Sequence, residues 1–489
     1  MTSEQSETSQ YGPSQKGFLR DPLNMVFATI VVFAAAFRLP GLFTDFWLDE
    51  IWTLSRTNLL NSPVEIFTEF LSSNNNHLNT LIFYLLGEQK QWMLYRLHSL
   101  AAGIGTVIIA WLIAYQKGRL EAIIASLLTA GSYLMIHYSS EARGYAMVIF
   151  FALLTFYAAQ RFLQNSFWRW AVIMWLCMWL GFLSHLMYVH VFIALGFWLL
   201  VSLFKTCKTG QEISIRFIQC FGVPILSFVF FYIFIFRHMK IDEADEYNLF
   251  VVLVKTISYA AGGPASGPSA ITVAALTACF QLYSLIWMWR KKCDEWVFYS
   301  FVIIISPVAI LIINQPEVLF VRYFLISIAF AYIAISFALA DIFRRFYTGK
   351  KFLVLLILLF LFGNGWNVVE LFKYGRGGYL EGLRYVAAHS TEHNIRITSN
   401  NDFRNNMLIE YYKHFLPIDK KIVYVSQDNF PKEPAMWIIL NRIGYPEEIY
   451  KTMIDAEGDI YKLVKSLPYS DLSGMDWYVY KKQGPKGEE

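Results

Sequence analysis

Apolar stretches of bilayer length recur along this chain, parted by short polar turns that are often basic. About eleven are long enough for a bilayer core, near residues 23–39, 93–115, 120–137, 144–163, 168–185, 187–204, 217–236, 269–289, 296–313, 319–342 and 352–371. They predict an all-α polytopic membrane protein. The polar stretch 1–22 ahead of the first span has no apolar core of its own and is expected as a disordered cytoplasmic tail rather than a cleaved leader.

Two interruptions of the pattern are long. Residues 40–92 form a first loop too long for a plain connection and therefore expected to be functional. Its segments "IWTLSR" and "VEIFTEFL" mix apolar and polar positions in a way that predicts short helices along the membrane interface. Residues 237–268 end in a Gly/Pro/Ser cluster that predicts a loop. From 372 to 489 the balance becomes that of a soluble domain. "EGLRYVAAHS" and "NMLIEYYKHF" have helical spacing, whereas "IRITSN", "KIVYVS", "AMWIIL" and "DWYVYKK" are β-rich. A small α/β domain is expected there, following a transmembrane domain over 23–371.

Composition supports this division. Hydrophobic residues make up 56% of the 489 and charged residues only 16%, far below a soluble average. A net charge of +4 gives no ground for a nucleic-acid partner. With the N-terminus cytoplasmic, roughly sixteen Lys and Arg fall on the inner loops, Arg290-Lys291-Lys292 and Arg344-Arg345 among them, and about half as many on the outer ones. An odd number of spans then places the α/β domain outside, in a multi-pass protein of the cell (inner) membrane. All five cysteines fall in spans or on the inner side, so no outer disulfide framework is expected.

Ionisable residues beside a bilayer are costly and tend to mark function. In this topology they gather on the outer face. Asp45, Asp49 and Glu50 follow the first span, and His77 precedes the second. His137, Glu141, Arg143 and Tyr145 join the third to the fourth, His185 and His190 lie between the fifth and sixth, and Glu317, Arg322 and Tyr323 open the tenth. Each has a structural alternative: a helix cap for the acids, snorkelling for the arginines, packing for the histidines. Together they suit group transfer from a lipid-linked phosphate, with a carboxylate taking a proton from an acceptor and arginines holding the anion. No phosphate loop, dinucleotide fingerprint, zinc spacing or nucleophile elbow is present. These residues point to no particular cofactor, although Asp49, Glu50 or Glu141 have the ligand type for a hard divalent cation.

The order "FRLPGLFTDFWLDEIWTL", "NNNHLNTLIFYLL", "RLHSLAAGIGTVIIAWLIA", "HYSSEARGYAMVIFFALLTFY" resembles bacterial glycosyltransferase family 39-like proteins. These belong to the GT-C superfamily and are related to protein O-mannosyltransferases and the lipid A aminoarabinose transferase. The likeness covers residues 35–160, and "VRYFLIS" and "FLSHLMYVH" resemble later family motifs. It implies a GT-C-type fold and an inverting transferase that moves a sugar from a polyprenyl-phosphate-linked donor to a lipid, glycan or protein acceptor outside the membrane. By position Asp49 is the expected base, and Glu50 is expected to position the acceptor or the base. Glu141, Arg143, Tyr145, Arg322, Tyr323 and His185 are expected at the donor, and His77 in the acceptor loop. The chain departs from the family where His77-Leu78-Asn79-Thr80 replaces His-Pro-Pro-Leu and where the His-Tyr pair is split as His185 and Tyr188. The competing expectations are a transporter or lipid flippase without transferase activity, and a scaffold acting through its terminal domain.

Overall fold

The structure, a computed structural model, describes residues 21–165, 167–240, 248–314, 319–346, 348–417, 420–430, 434–442, 449–455 and 457–485. The N-terminal tail, Glu317 and the last four residues lie outside the described residues.

Among the described residues, nine helices are long and apolar enough to cross a membrane. All eleven expected segments are helical, but two fall short of that measure. The 120–137 segment is two helices, Arg119–Gly131 and Tyr133–Tyr138, because Ser132 leaves helical geometry at ψ 124° and caps the second with its hydroxyl. The 168–185 segment is Trp168–Ser184, 17 residues, stopped where His185 turns extended. The first span, Pro22–Arg38, begins with a proline at its first turn under the Asp21 side-chain cap. At the centre of the bundle is Leu325–Arg345, with buried side chains around its whole circumference.

At the end of the bundle opposite the α/β domain, ion pairs tie the helices: Lys117 to Glu295 at 2.8 Å and Arg344 to Glu121 at 2.5 Å. The last span, Gly349–Tyr374, ends at Gly375, whose φ of +59° is left-handed and lets the chain turn out of the helix.

Beyond it a mixed six-stranded sheet is built from β1 (Asn394–Ser399), β2 (Lys421–Tyr424), β3 (Trp437–Arg442), β4 (Thr452–Ile454), β5 (Asp459–Leu467) and β6 (Asp476–Pro485). The order is β2-β1-β3-β6-β5-β4, with β2, β1 and β3 parallel and the rest antiparallel. The helices Tyr379–Ala388 and Asp402–Tyr412 pack against it.

One face of the sheet holds a small cluster of Ile438, Tyr461 and Tyr480 within the domain, but the larger core on the other face is shared. Phe46, Trp47, Leu48, Ile51 and Leu54 of the first loop share one buried cluster with Tyr379, Leu383, Ile409, Tyr412 and Trp477. The helix Leu48–Thr57, expected to lie along the interface, is therefore clamped under the α/β domain. Its apolar face is buried against the apolar face of the domain, away from water. Asp45 reinforces the joint: its carboxylate accepts the Leu380 N–H at 3.1 Å, at the start of Tyr379–Ala388.

Candidate active site

The helix Leu48–Thr57 sets two adjacent carboxylates to different tasks. Glu50, its third residue, is fully buried. It accepts the Trp47 N–H at 3.2 Å, the Ala142 N–H at 2.7 Å, and Arg96 Nε and Nη2 at 2.8 and 2.6 Å. Those bonds engage both of its oxygens. Glu50 thus orients the helix that carries Asp49 and the Ala142 turn, and of the two expected roles this geometry leaves no face for an acceptor.

Asp49 is 14% exposed. Its Oδ2 lies 3.6 Å from Arg143 Nη2 and 3.8 Å from Arg322 Nη1. These are ion pairs without tight hydrogen bonds. Asn74 fixes one side of the arrangement, receiving Arg143 Nη1 on its Oδ1 at 2.5 Å and donating to the Asp49 carbonyl at 3.3 Å. Arg143 Nε and Arg322 Nε are buried without a hydrogen bond among the described residues. Two guanidinium N–H groups therefore remain for an anion beside an accessible carboxylate.

Aromatic rings frame this cluster. The Tyr145 ring lies 5.8 Å from the Arg143 guanidinium and 5.9 Å from that of Arg322. Arg322 also lies over Phe320 at 4.0 Å and Trp47 at 5.9 Å. His185 sits 4.9 Å from Tyr145 and 6.4 Å from Tyr323, ring to ring. Its Nδ1 accepts the Met187 N–H at 3.1 Å, which leaves Nε2 as the proton-bearing nitrogen of a neutral ring. The close approach of the Glu141–Tyr145 turn to His185 requires Gly144, since a Cβ there would stand 1.9 Å from the Ser184 carbonyl oxygen.

The remaining expected residues sit elsewhere. Glu141 is fully buried, with Oε1 3.2 Å from His137 Nε2 and 3.4 Å from Arg376 Nε. Burial alone would raise its carboxyl, but the contacts with His137 and Arg376 more than offset that and hold it at about 2. It is a fixed anion of the interior and faces Arg376, not Arg143. His77 stacks on Phe67 at 5.3 Å and lies 6.1 Å from Phe236, and burial pushes it down to about 4. A neutral, stacked imidazole shapes the loop and carries no charge to an acceptor. His190 bonds Ser306 at 2.8 Å inside the bundle.

Three residues escaped the sequence: Asn74, Arg96 and Arg376. Only "NNN" in the first loop hinted at the first, and the two arginines look like any basic residue flanking a span. As for a divalent cation, no cluster of three or more His, Cys, Asp or Glu that could hold one occurs among the described residues. The donor set explains why: Asp49 has two arginines for neighbours, and Glu50 and Glu141 are taken by Arg96 and Arg376.

No protein-family model and no curated protein sequence matches the chain. Solved structures do. ArnT from Cupriavidus metallidurans in the apo state is 9% identical, aligning over 85% of this chain and 92% of its own at a TM-score of 0.50. The apo Archaeoglobus fulgidus oligosaccharyltransferase is also 9% identical, over 86% of this chain and 69% of its own, at a TM-score of 0.53. At such identity the likeness is one of fold. Both of these are GT-C superfamily members, and this chain is a multi-pass membrane protein with the same GT-C-type fold.

Proposed function

We propose that the chain is an inverting glycosyltransferase that moves a sugar from a polyprenyl-phosphate-linked donor onto an acceptor hydroxyl or amine outside the membrane. The observation that carries this is the Asp49 carboxylate between Arg143 and Arg322, both with an unused buried N–H. In this scheme the donor phosphate takes over the two guanidiniums and leaves Asp49 Oδ2 free. The acceptor gives its proton to Asp49 as its oxygen or nitrogen bonds to the anomeric carbon. The bond from that carbon to the phosphate oxygen breaks, its electron pair stays on the phosphate, and the arginines stabilise the charge that develops. Tyr145, Tyr323 and His185 line the donor side, and His77 shapes the loop that meets the acceptor.

The shared GT-C-type fold supports this reading, as does the clustering of charge at one end of the bundle. A transporter would call for polar residues at mid-membrane and paired broken helices instead. The basic residues at the far end favour a cytoplasmic N-terminus in the inner membrane, which leaves 372–489 outside as a separate domain.

The test is transfer from a panel of labelled polyprenyl-phosphate hexoses and pentoses by the purified full chain in membranes of native lipid. Turnover by wild type and its loss in Asp49→Asn is the expected result. Movement of lipid across the bilayer without any transfer would overturn the proposal.

A further inference from the structure

Arg376 lies just past the last span, at the root of the α/β domain, and it is fully buried. All five guanidinium N–H groups are used, and they go to two different segments. Toward the first loop, Nη1 donates to the Gly41 carbonyl at 3.2 Å and to Thr44 Oγ1 at 2.7 Å. Toward the turn after Tyr133–Tyr138, Nη2 donates to the His137 carbonyl at 3.0 Å and Ser140 Oγ at 3.0 Å, and Nε reaches Glu141 Oε1 at 3.4 Å. The first of these segments leads within five residues to Asp49, and the second within two to Arg143.

The domain in turn holds Arg376 by its backbone. Its carbonyl accepts the Tyr379 hydroxyl at 2.8 Å and the Met475 N–H at 3.3 Å. Gly474, at φ +117°, comes so close that a Cβ there would stand 1.9 Å from that carbonyl oxygen. Arg96 completes the frame from the other side. It donates to the Thr44 carbonyl at 2.7 Å and the Asp45 carbonyl at 3.0 Å while paired with Glu50. Two buried arginines and two buried glutamates thus balance in charge around residues 41–45.

We infer that Arg376 is a positioning residue of the active site, by which the α/β domain sets the separation of Asp49 from Arg143. The inference rests on the transferase reading above. It also makes the domain part of the catalyst: the residue touches no reacting atom, yet it is the common support of the segments that carry the base and the phosphate ligand. Lysine cannot replace it, because an ammonium has three donors and no fork to bridge two segments. A misplacement of about 1 Å between reacting groups is enough to cost about a hundredfold in turnover.

The experiment uses the full chain in native-lipid membranes with a polyprenyl-phosphate sugar that wild type turns over. Arg376→Lys is expected to lower kcat by about 100-fold with the donor KM changed less than threefold. The pair Thr44→Val and Ser140→Ala keeps all four buried charges and removes two acceptors, so that folding is spared; kcat should fall about tenfold with KM again held. A folded pair variant with wild-type kcat, or a loss confined to KM, would overturn the inference. Hydrogen exchange gives a reading free of substrate. Arg376→Lys should speed exchange at residues 41–50 and 138–145 together, and acceleration only within the α/β domain would refute the positioning role. Wild type inert toward every donor would defeat the transferase reading instead, and leave the exchange result to stand or fall alone.

Discussion

Asp49 and Glu50 are consecutive, yet their carboxylates belong to separate ion networks: Asp49 to Arg143 and Arg322 at a partly open surface, Glu50 to Arg96 in the interior. A shared helix thus carries one acid that is partly exposed between two arginines and, in the proposed mechanism, reacts, and one that is fully buried and bonded on both oxygens. Substituting them should separate activity from stability.

Asp49→Asn is expected to lower kcat by roughly 10²–10⁴-fold, the span of a lost general base, with the melting temperature nearly unchanged. Glu50→Ala should instead leave Arg96 as an uncompensated buried charge and destabilise the fold by about 3–5 kcal/mol. Parallel transfer assays and thermal unfolding in detergent check both. Equal loss of stability in the two variants would contradict the division of labour.

Arg143→Met and Arg322→Met should each weaken donor binding by roughly 10–100-fold, from about 1.5–3 kcal/mol for a hydrogen bond to a charged group. Titration of each variant with an undecaprenyl phosphate, without any acceptor, is the measurement. Donor affinity equal to wild type in both would remove the phosphate from this site.

Asp45 makes the joint between loop and domain sensitive to pH. Burial raises its carboxyl to about 6 against its bond from the Leu380 N–H and the nearby Arg96 charge. The folded state therefore binds the proton more tightly than the unfolded chain does. Its stabilisation is full below the ordinary carboxylate value and is lost as pH rises from about 4 through about 6. Asp45→Asn keeps an acceptor for Leu380 without the charge. Its melting temperature should match wild type near pH 4 and exceed it at pH 7.5, by the equivalent of about 1–3 kcal/mol. No difference at pH 7.5 would place the carboxyl in a more solvated setting.

Gly144→Ala should destabilise the chain by about 1–3 kcal/mol and abolish transfer, because the new methyl would meet the Ser184 carbonyl and push the His185 turn away. Gly365→Ala is the control. Nothing lies within 4 Å of a Cβ there, and its melting temperature should hold or rise. Thermal unfolding of both variants decides.

The spans and most of the α/β domain were legible because hydrophobic period and turn residues are local signals. "KIVYVS" and "DWYVYKK" became β2 and β6 as their β-rich composition predicts. β5, "DIYKLVKSL", is harder to see, since lysines punctuate it and a bulge shifts its register against β6. The site was legible by residue type but not by facing. Nothing in "LDEI" tells which acid turns inward, because that is decided by Arg96, 46 residues away, and by the Ala142 N–H, 92 away. Arg376 reaches Glu141 across 235 residues. Pairings at such separation leave no trace in spacing.

The shared core of the first loop and the α/β domain fixes the order in which the protein can mature. The Tyr412 hydroxyl bonds the Phe46 carbonyl at 2.7 Å across 366 residues. At 5–20 residues per second, about 20–70 s of synthesis separates the two. Throughout that interval the helix bearing Asp49 lacks the surface that seats it. A chain that ended before the last domain would hold the Phe46–Leu54 segment without the partner that buries it.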